Sequence, residues 1–367
     1  MNSEQAIKYA SATDVLRGCL GRRGVRASAS GAEKYVYRTR HLPLVREALG
    51  HLGHRVDVGA HLGELVRRQG SDGRVPSAFY DGLFGAVAHL WGGVRHRGPI
   101  AALREALAAP CRKRIGDEEL HFAVAALEHA RWLGAQVGAT ADDLERATTL
   151  REAAGAALDY VWDCVVDEEE LPVGANGRRS LRDACLLHQA LRLWGSHAEA
   201  AALRETVRRT FRHPFGELMG WADDARVDPL GSSLALLYGV VGYDAHAAVL
   251  LALRSLDGPH GVVDLLRDVT EQSDAGDPDT RVVWPVAVAG AVRAAVQVSR
   301  TTYVTTGPDD GSAVRALAFA RAEFDKFTHL RGHGEWYDAA NGESRGAEEC
   351  AASAAAYVVA AHALGVV

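Results

Sequence analysis

Leu230-Gly-Ser-Ser-Leu-Ala-Leu-Leu-Tyr-Gly-Val-Val241 and Ala351-Ala-Ser-Ala-Ala-Ala-Tyr-Val-Val-Ala-Ala361 carry no charge, and Val286-Ala-Val-Ala-Gly-Ala-Val-Arg-Ala-Ala-Val296 carries only Arg293. A helix that is apolar on every side must be buried on every side. The stretches Leu144-Glu-Arg-Ala-Thr-Thr-Leu-Arg-Glu-Ala153, Ala198-Glu-Ala-Ala-Ala-Leu-Arg-Glu-Thr-Val-Arg-Arg209 and Ala313-Val-Arg-Ala-Leu-Ala-Phe-Ala-Arg-Ala-Glu323 differ from these, each keeping one face for solvent. Helical spacing predicts helices near 4–20, 36–50, 57–69, 116–135, 141–163, 180–194, 197–212, 228–241, 243–255, 282–299, 312–329 and 345–365. No run alternates at period two between turn residues, so the reading is all-α. Half-exposed and fully buried helices alternating through six pairs fit a closed (α/α)6 barrel of inner and outer helices, with Gly and Ala allowing close packing inside. An open superhelix of helix pairs would repeat at a fixed period, and the spacing here is irregular.

The 367 residues are 48% hydrophobic, 24% charged and 7% aromatic, values that exclude a disordered, collagen-like or disulfide-scaffold chain. Length alone allows two domains of about 150 residues or one barrel; the pattern favours a single domain over 1–367. An irregular stretch near 73–115, with Pro76, Pro99, Pro110 and the basic string Cys111-Arg-Lys-Arg-Ile, reads as a helical insertion, either a cover over one barrel mouth or an extra hairpin. A net charge of -6 lacks the basic excess that phosphate neutralisation requires, which argues against nucleic acid as a partner. The five cysteines are odd in number, scattered and without a C-x-x-C pair, as expected of reduced thiols in a cytoplasmic protein. The start, Met1-Asn-Ser-Glu-Gln-Ala-Ile-Lys8, has neither a basic nor an apolar signal region. Ala351 to Val367 is as long as a minimal membrane span, but its Ala and Gly content, Ser353 and His362 favour a buried helix, so no membrane partner is expected.

In such a barrel, the connections leading into inner helices surround the central cavity. Those connections are Tyr35 to His41, Gly116 to Glu119, Asp167 to Ser180, Gly220 to Asp228, Thr280 to Pro285 and His333 to Asp338, and five of the six bring carboxylates or aromatics. Paired carboxylates suit acetal cleavage, one as proton donor to the leaving oxygen and one as base toward water. For Asp117, Asp142 and Asp228 a helix-capping role is the competing reading. Sixteen histidines include no metal-ligand spacing, and no phosphate loop or dinucleotide fingerprint is present, so neither a metal nor another cofactor is expected. His51, His54 and His61 read as surface or cap residues, whereas His121 and His188 fall on predicted inner helices.

On these residues the chain resembles the six-hairpin glycosidases, the (α/α)6 superfamily that includes glucoamylase-like, invertase-like and glycogen-debranching-like enzymes. Gly334-Glu-Trp-Tyr-Asp-Ala-Ala-Asn-Gly342, followed by the small-residue helix 347–364, is similar to the family's Glu, aromatic, Asp and Gly before the last inner helix. The resemblance implies that Glu335 is the general base. It also implies a general acid on the connection 167–180, where Glu168, Glu169 and Glu170 are available, with Glu169 and Glu170 taken as the catalytic candidates beside Glu335. Tyr35-Val-Tyr-Arg-Thr-Arg-His41 is similar to the family's run ending in Trp-x-Arg-Asp, which holds the sugar. Here Arg40 is kept, Arg38 stands at the Trp position, and His41 replaces the Asp, so a two-bond acceptor has become an imidazole. Substrate-binding candidates are Tyr37, Arg38, Arg40, His41, Asp117, Trp221, Asp228, Trp284, Trp336 and Tyr337. The implied activity is inverting hydrolysis of an α-linked oligosaccharide or small glycoside, making the partner a small-molecule carbohydrate; assembly as a homo-oligomer is left open. Two alternatives keep the barrel: a sugar epimerase using His41, His121 and His188, or a glycosidase-fold barrel reassigned to binding or biosynthesis of a non-sugar substrate.

Overall fold

The computed structural model describes residues 1–31, 34, 36–80, 117–174, 178–212, 218, 222, 226–265, 281–306 and 311–367. Trp221, Cys111 and the expected insertion from residue 81 onward lie outside the described residues. The chain forms two compact units, Cys19–Thr206 and Met1–Gly18 with Val207–Val367.

The described residues contain twelve α-helices. Those of the Cys19–Thr206 unit are α2 (Leu42–His51), α3 (Arg55–Arg68), α4 (Asp117–Gly134), α5 (Ala141–Cys164), α6 (Leu181–Trp194) and most of α7 (His197–Thr210). The other unit holds nearly all of α1 (Ser3–Cys19), then α8 (Pro229–Leu237), α9 (His246–Ser255), α10 (Pro285–Thr306), α11 (Gly311–His329) and α12 (Ala351–Leu364). Burial alternates as the hydrophobic pattern predicts. Helix α4 is enclosed around its circumference and packs against α2, α5 and α6, whereas α5 leaves one face in water. Likewise α10 is enclosed and packs on α8, α11 and α12, whereas α11 buries only one face. Ends follow local chemistry: Thr140 and Asp143 close a reciprocal capping box on α5, and Gly195, in the left-handed region at φ 108, ends α6. No described helix is long and apolar enough to cross a membrane.

Strands are the feature that helical periodicity misses. Two short antiparallel pairs, β1 (Leu20–Gly21) with β2 (Gly24–Val25) and β3 (Val36–Arg38) with β4 (Ala78–Tyr80), lie in the Cys19–Thr206 unit. The second unit holds a five-stranded antiparallel sheet of β5 (Asp257–Gly258), β6 (Gly261–Leu265), β7 (Arg281–Val283), β8 (Trp336–Asp338) and β9 (Ser344–Arg345), in that spatial order. These strands are built from the segments leading into α10 and α12, with Val283 opposite Tyr337 and Trp336 opposite Arg345.

The helix expected over 36–50 is therefore corrected: Val36-Tyr37-Arg38 pairs with Ala78–Tyr80, and α2 starts only at Leu42 with Pro43 in its first turn, where a missing N–H costs nothing. The helix expected from 345 begins at Ala351, because Ser344–Arg345 is strand and Gly346 has φ +72. His61, expected at the surface or a cap, is buried on the face of α3 that also carries Val58, Leu62 and Leu65. Its Nδ1 accepts from the Val25 N–H at 3.3 Å, and Tyr37 and Phe79 stand edge-on to its ring.

Candidate functional site

The residues singled out in the sequence form clusters within each unit. The first is carried by the segment between α11 and α12. Glu335 is half-buried at the edge of β8, and its backbone N–H donates to the Ala347 carbonyl at 2.9 Å, while the Ala347 N–H donates to its Oε2 at 3.2 Å. The flanking peptide groups are also committed: the Gly334 N–H donates to the Tyr337 hydroxyl at 2.9 Å, and the Gly334 carbonyl accepts from Ser353 Oγ at 2.7 Å. Tyr337 donates in turn to the Gly332 carbonyl at 3.1 Å, and the Cys350 N–H donates to the His333 carbonyl at 2.8 Å. Gly346 completes the arrangement, since a Cβ there would lie 2.8 Å from Glu335 Oε2 and 3.0 Å from Trp336 Nε1. One oxygen of the Glu335 carboxylate is thus held by a backbone N–H, and the residue's own N–H is bonded to the same partner.

Strand alternation sorts the residues around it. Tyr337 points inward and is buried, its phenol pushed up to about 12 by burial, so it is part of the support. Trp336 and Asp338 lie on the other face and are half-buried. Asp338 accepts from the Ala340 and Asn341 N–H groups and thereby shapes the β8–β9 turn. Trp284 is half-buried at the head of α10, its carbonyl accepting from Ala287 and Val288. Asp228 is buried and caps α8, accepting from the Leu230 N–H at 3.0 Å.

The second cluster joins α4 to the residues before α2. Arg40 donates through Nε (3.0 Å) and Nη2 (2.5 Å) to Asp117 Oδ2, and the other carboxylate oxygen lies 3.2 Å from His121 Nε2. His41 stands edge-on to His121 with ring centroids 5.7 Å apart, and it occupies the left-handed region at φ 64. Non-glycine residues adopt that backbone at a cost, and such strain concentrates at functional sites. The adjacent carboxyls of α4 are driven apart. Burial pushes Asp117 up, but the Arg40 guanidinium and His121 outweigh it and hold Asp117 well below the usual carboxylate range. Burial and the Asp117 charge raise Glu118 to about 7. Burial, reinforced by His121 and Arg40, keeps the His41 imidazole neutral at pH 7. A proton-holding acid beside an ionised carboxylate and a neutral imidazole is an acid–base inventory of the kind found at catalytic centres. Arg38 is half-buried on β3, whereas Tyr37 is fully buried and stacks on Phe79 at 4.6 Å.

The third predicted cluster is a turn. Asp167 Oδ1 accepts from the Glu169 and Leu171 N–H groups, and its Oδ2 accepts from Arg179 Nε. Glu168, Glu169 and Glu170 are exposed, Glu169 pairs with Arg179 Nη1 at 3.1 Å, and Glu170 has φ 62. His188 is buried on α6, and burial lowers it to about 4.

Glu118 is the functional candidate that spacing missed. The run Asp117-Glu118-Glu119 looks like favourable charge on a first helical turn, yet Glu118 and Glu119 are buried because α4 is enclosed from its first turn. Among the described residues no group of three or more His, Cys, Asp or Glu could hold a metal ion.

No family model matches the chain, and no curated protein matches it in sequence. Solved structures do match. A glycosidase variant in complex with glucose is 17% identical over 100% of both chains, with a TM-score of 0.62. The glycoside hydrolase family 15 glucoamylase from Hypocrea jecorina is 14% identical, covering 98% of this chain and 72% of that one, with a TM-score of 0.64. A family 63 mannosylglycerate hydrolase from Thermus thermophilus, in complex with Tris and D-glycerate, is 14% identical over 96% of this chain and 99% of that one, with a TM-score of 0.50. With its alternation of enclosed and half-exposed helices, the chain has the all-α (α/α)6 barrel fold of the six-hairpin glycosidases.

Proposed function

We propose that the protein hydrolyses an α-linked oligosaccharide or small glycoside with inversion at the anomeric carbon. Glu335 takes the proton of the attacking water, and a carboxylic acid among Glu168, Glu169 and Glu170 protonates the leaving oxygen. The observation that carries this reading is the Glu335 carboxylate itself, held by the Ala347 N–H on a segment whose peptide groups are already bonded. Trp284 and Trp336, both half-buried, offer planes for sugar faces. Arg40 with Asp117 supplies the guanidinium–carboxylate pair for sugar hydroxyls that position 41 no longer provides. Glucose and glycerate on structures of the same fold support a small polyhydroxylated substrate, and the odd, scattered cysteines support a cytoplasmic setting. The test is product release from α- and β-linked disaccharides and aryl glycosides by wild type and E335Q in parallel. Cleavage lost in E335Q, with the melting temperature kept, supports the reading; equal cleavage by both proteins removes Glu335 from the chemistry.

The contact of His41 with His121 favours a second reading, proton transfer at a carbon of a reducing sugar, as in an epimerase. Incubation of candidate sugars in D2O distinguishes it. Deuterium entering a C–H position, dependent on His41, identifies the epimerase, and absence of exchange leaves the hydrolase.

A further inference from the structure

We propose that Lys8, on the N-terminal helix, is a positioning residue for the Glu335 carboxylate; this rests on the assignment of Glu335 as the base. Lys8 is buried, and its Nζ donates to two carbonyls, Leu330 at the end of the turn that closes α11 and Gly332 at 2.5 Å. Among the described residues it bonds no carboxylate, so its ammonium is neutralised only by peptide dipoles, an arrangement that costs stability relative to an apolar side chain of similar size. Burial accordingly lowers it to about 8. What this costly contact holds is the segment that presents Glu335. The Gly332 carbonyl bonded by Lys8 also accepts from Tyr337, and the Tyr337 hydroxyl accepts from the Gly334 N–H, one residue before Glu335. A second tether from the same helix meets the residue between, with Ser11 Oγ 3.2 Å from His333 Nε2. His333 is buried and held neutral, lowered to about 3 by burial and by the Lys8 charge, so this contact pairs a hydroxyl with a neutral imidazole. Helix α1 thus grips Gly332 and His333, while Ala347 and Ser353 grip Gly334 and Glu335 from the α12 side.

The experiment compares K8M and S11A with wild type on a substrate that wild type cleaves, and repeats K8M in an E335A background assisted by azide. In that background azide bonds to the anomeric carbon as the glycosidic C–O bond breaks, and the leaving oxygen takes its proton from the enzyme's acid. K8M is expected to lower kcat about 10-fold or more with KM within about 2-fold, since small misplacement of a catalytic group has effects of this order. S11A, a mild change at an exposed position, is expected to lower kcat about 2-fold in the same manner and keeps the test available where K8M fails to fold. With no carboxylate left to position, K8M leaves azide-assisted turnover unchanged. Equal slowing in both backgrounds, or unchanged kcat in both single variants, overturns the proposal. Hydrogen exchange at the Gly334 and Ala347 amides reads the clamp without turnover: faster exchange in the variants, with the α11 interior unchanged, is expected, and no change overturns it. If wild type cleaves nothing while exchange quickens, the base assignment falls and the clamp on the segment stands.

Discussion

Glu335 and the run Glu168-Glu169-Glu170 both lie on connections that lead into a helix, but carboxylate and backbone exchange roles between them. At Glu335 the peptide groups serve the carboxylate, with Ala347 bonding Oε2 and the preceding Gly334 tied to Tyr337 and Ser353. In the other turn a carboxylate serves the backbone: Asp167 accepts from Glu169 and Leu171, and the three glutamates project outward. Acidity in the sequence therefore does not distinguish a carboxylate that is held from one that does the holding. The hydrogen bonds around it do.

The largest effect that sharpens this contrast is expected at Gly346, where an added Cβ would lie 2.8 Å from Glu335 Oε2 and 2.9 Å from its Cβ. G346A is predicted to lower kcat by about 100-fold through displacement of Glu335 and to cost about 1–2 kcal/mol in denaturant unfolding, because alanine disfavours φ +72. Activity and stability equal to wild type would break the account of a held carboxylate.

Next in size is D117N, which leaves Arg40 beside a neutral amide. Side-chain exposures of 39% for Arg40 and 21% for Asp117 place the cost below that of a fully buried pair, at about 2–3 kcal/mol. Because the folded protein holds Asp117 below its unfolded value, the contribution is present above pH ~4 and is lost as pH falls through the lower folded value. Urea unfolding across pH 2–7 checks it: wild type and D117N are expected to converge in acid.

Glu323 tests whether a held carboxyl need be catalytic. It is fully buried on α11, bonded through Oε1 to Lys326, which also bonds Asp257. Burial and Asp257 raise it to about 7. Its contribution to stability is complete below about pH 4.5, where the unfolded chain is also protonated, and is lost as pH rises through 7. Wild-type stability should lose about 1–3 kcal/mol of this contribution between those pH values, and E323Q should remove that slope.

The smallest predicted effect lies in the exposed turn. E170G relieves φ 62 and is expected to stabilise the protein by about 0.5–1 kcal/mol in thermal unfolding. Activity measured on the same preparation assigns or removes Glu170 as the proton donor.

What the sequence shows of this protein follows from the range of each interaction. The circumferential apolarity of 230–241, 286–296 and 351–361 marks enclosed helices because a dozen residues repeat the signal, and α8, α10 and α12 lie within or around those stretches. Strands of two to five residues, such as β8 and β9, are too short for alternation to register. The bonds that Gly334 and Glu335 make with the α12 side span at most nineteen residues of chain, the farthest being Ser353 to Gly334. Arg40 and Asp117 are 77 residues apart, and neither carries a local sign of the other. His61 shows the same limit, since its N–H donor, Val25, lies 36 residues away.

The most direct test of Glu335 as a base acting on water is the stereochemistry of the first product, followed by proton NMR while wild type cleaves an α-linked glycoside. The β-anomer is expected to appear first and only later to mutarotate, because water attacks the face opposite the leaving group. An α-anomer appearing first would contradict it, as would release of product at an equal rate by E335Q.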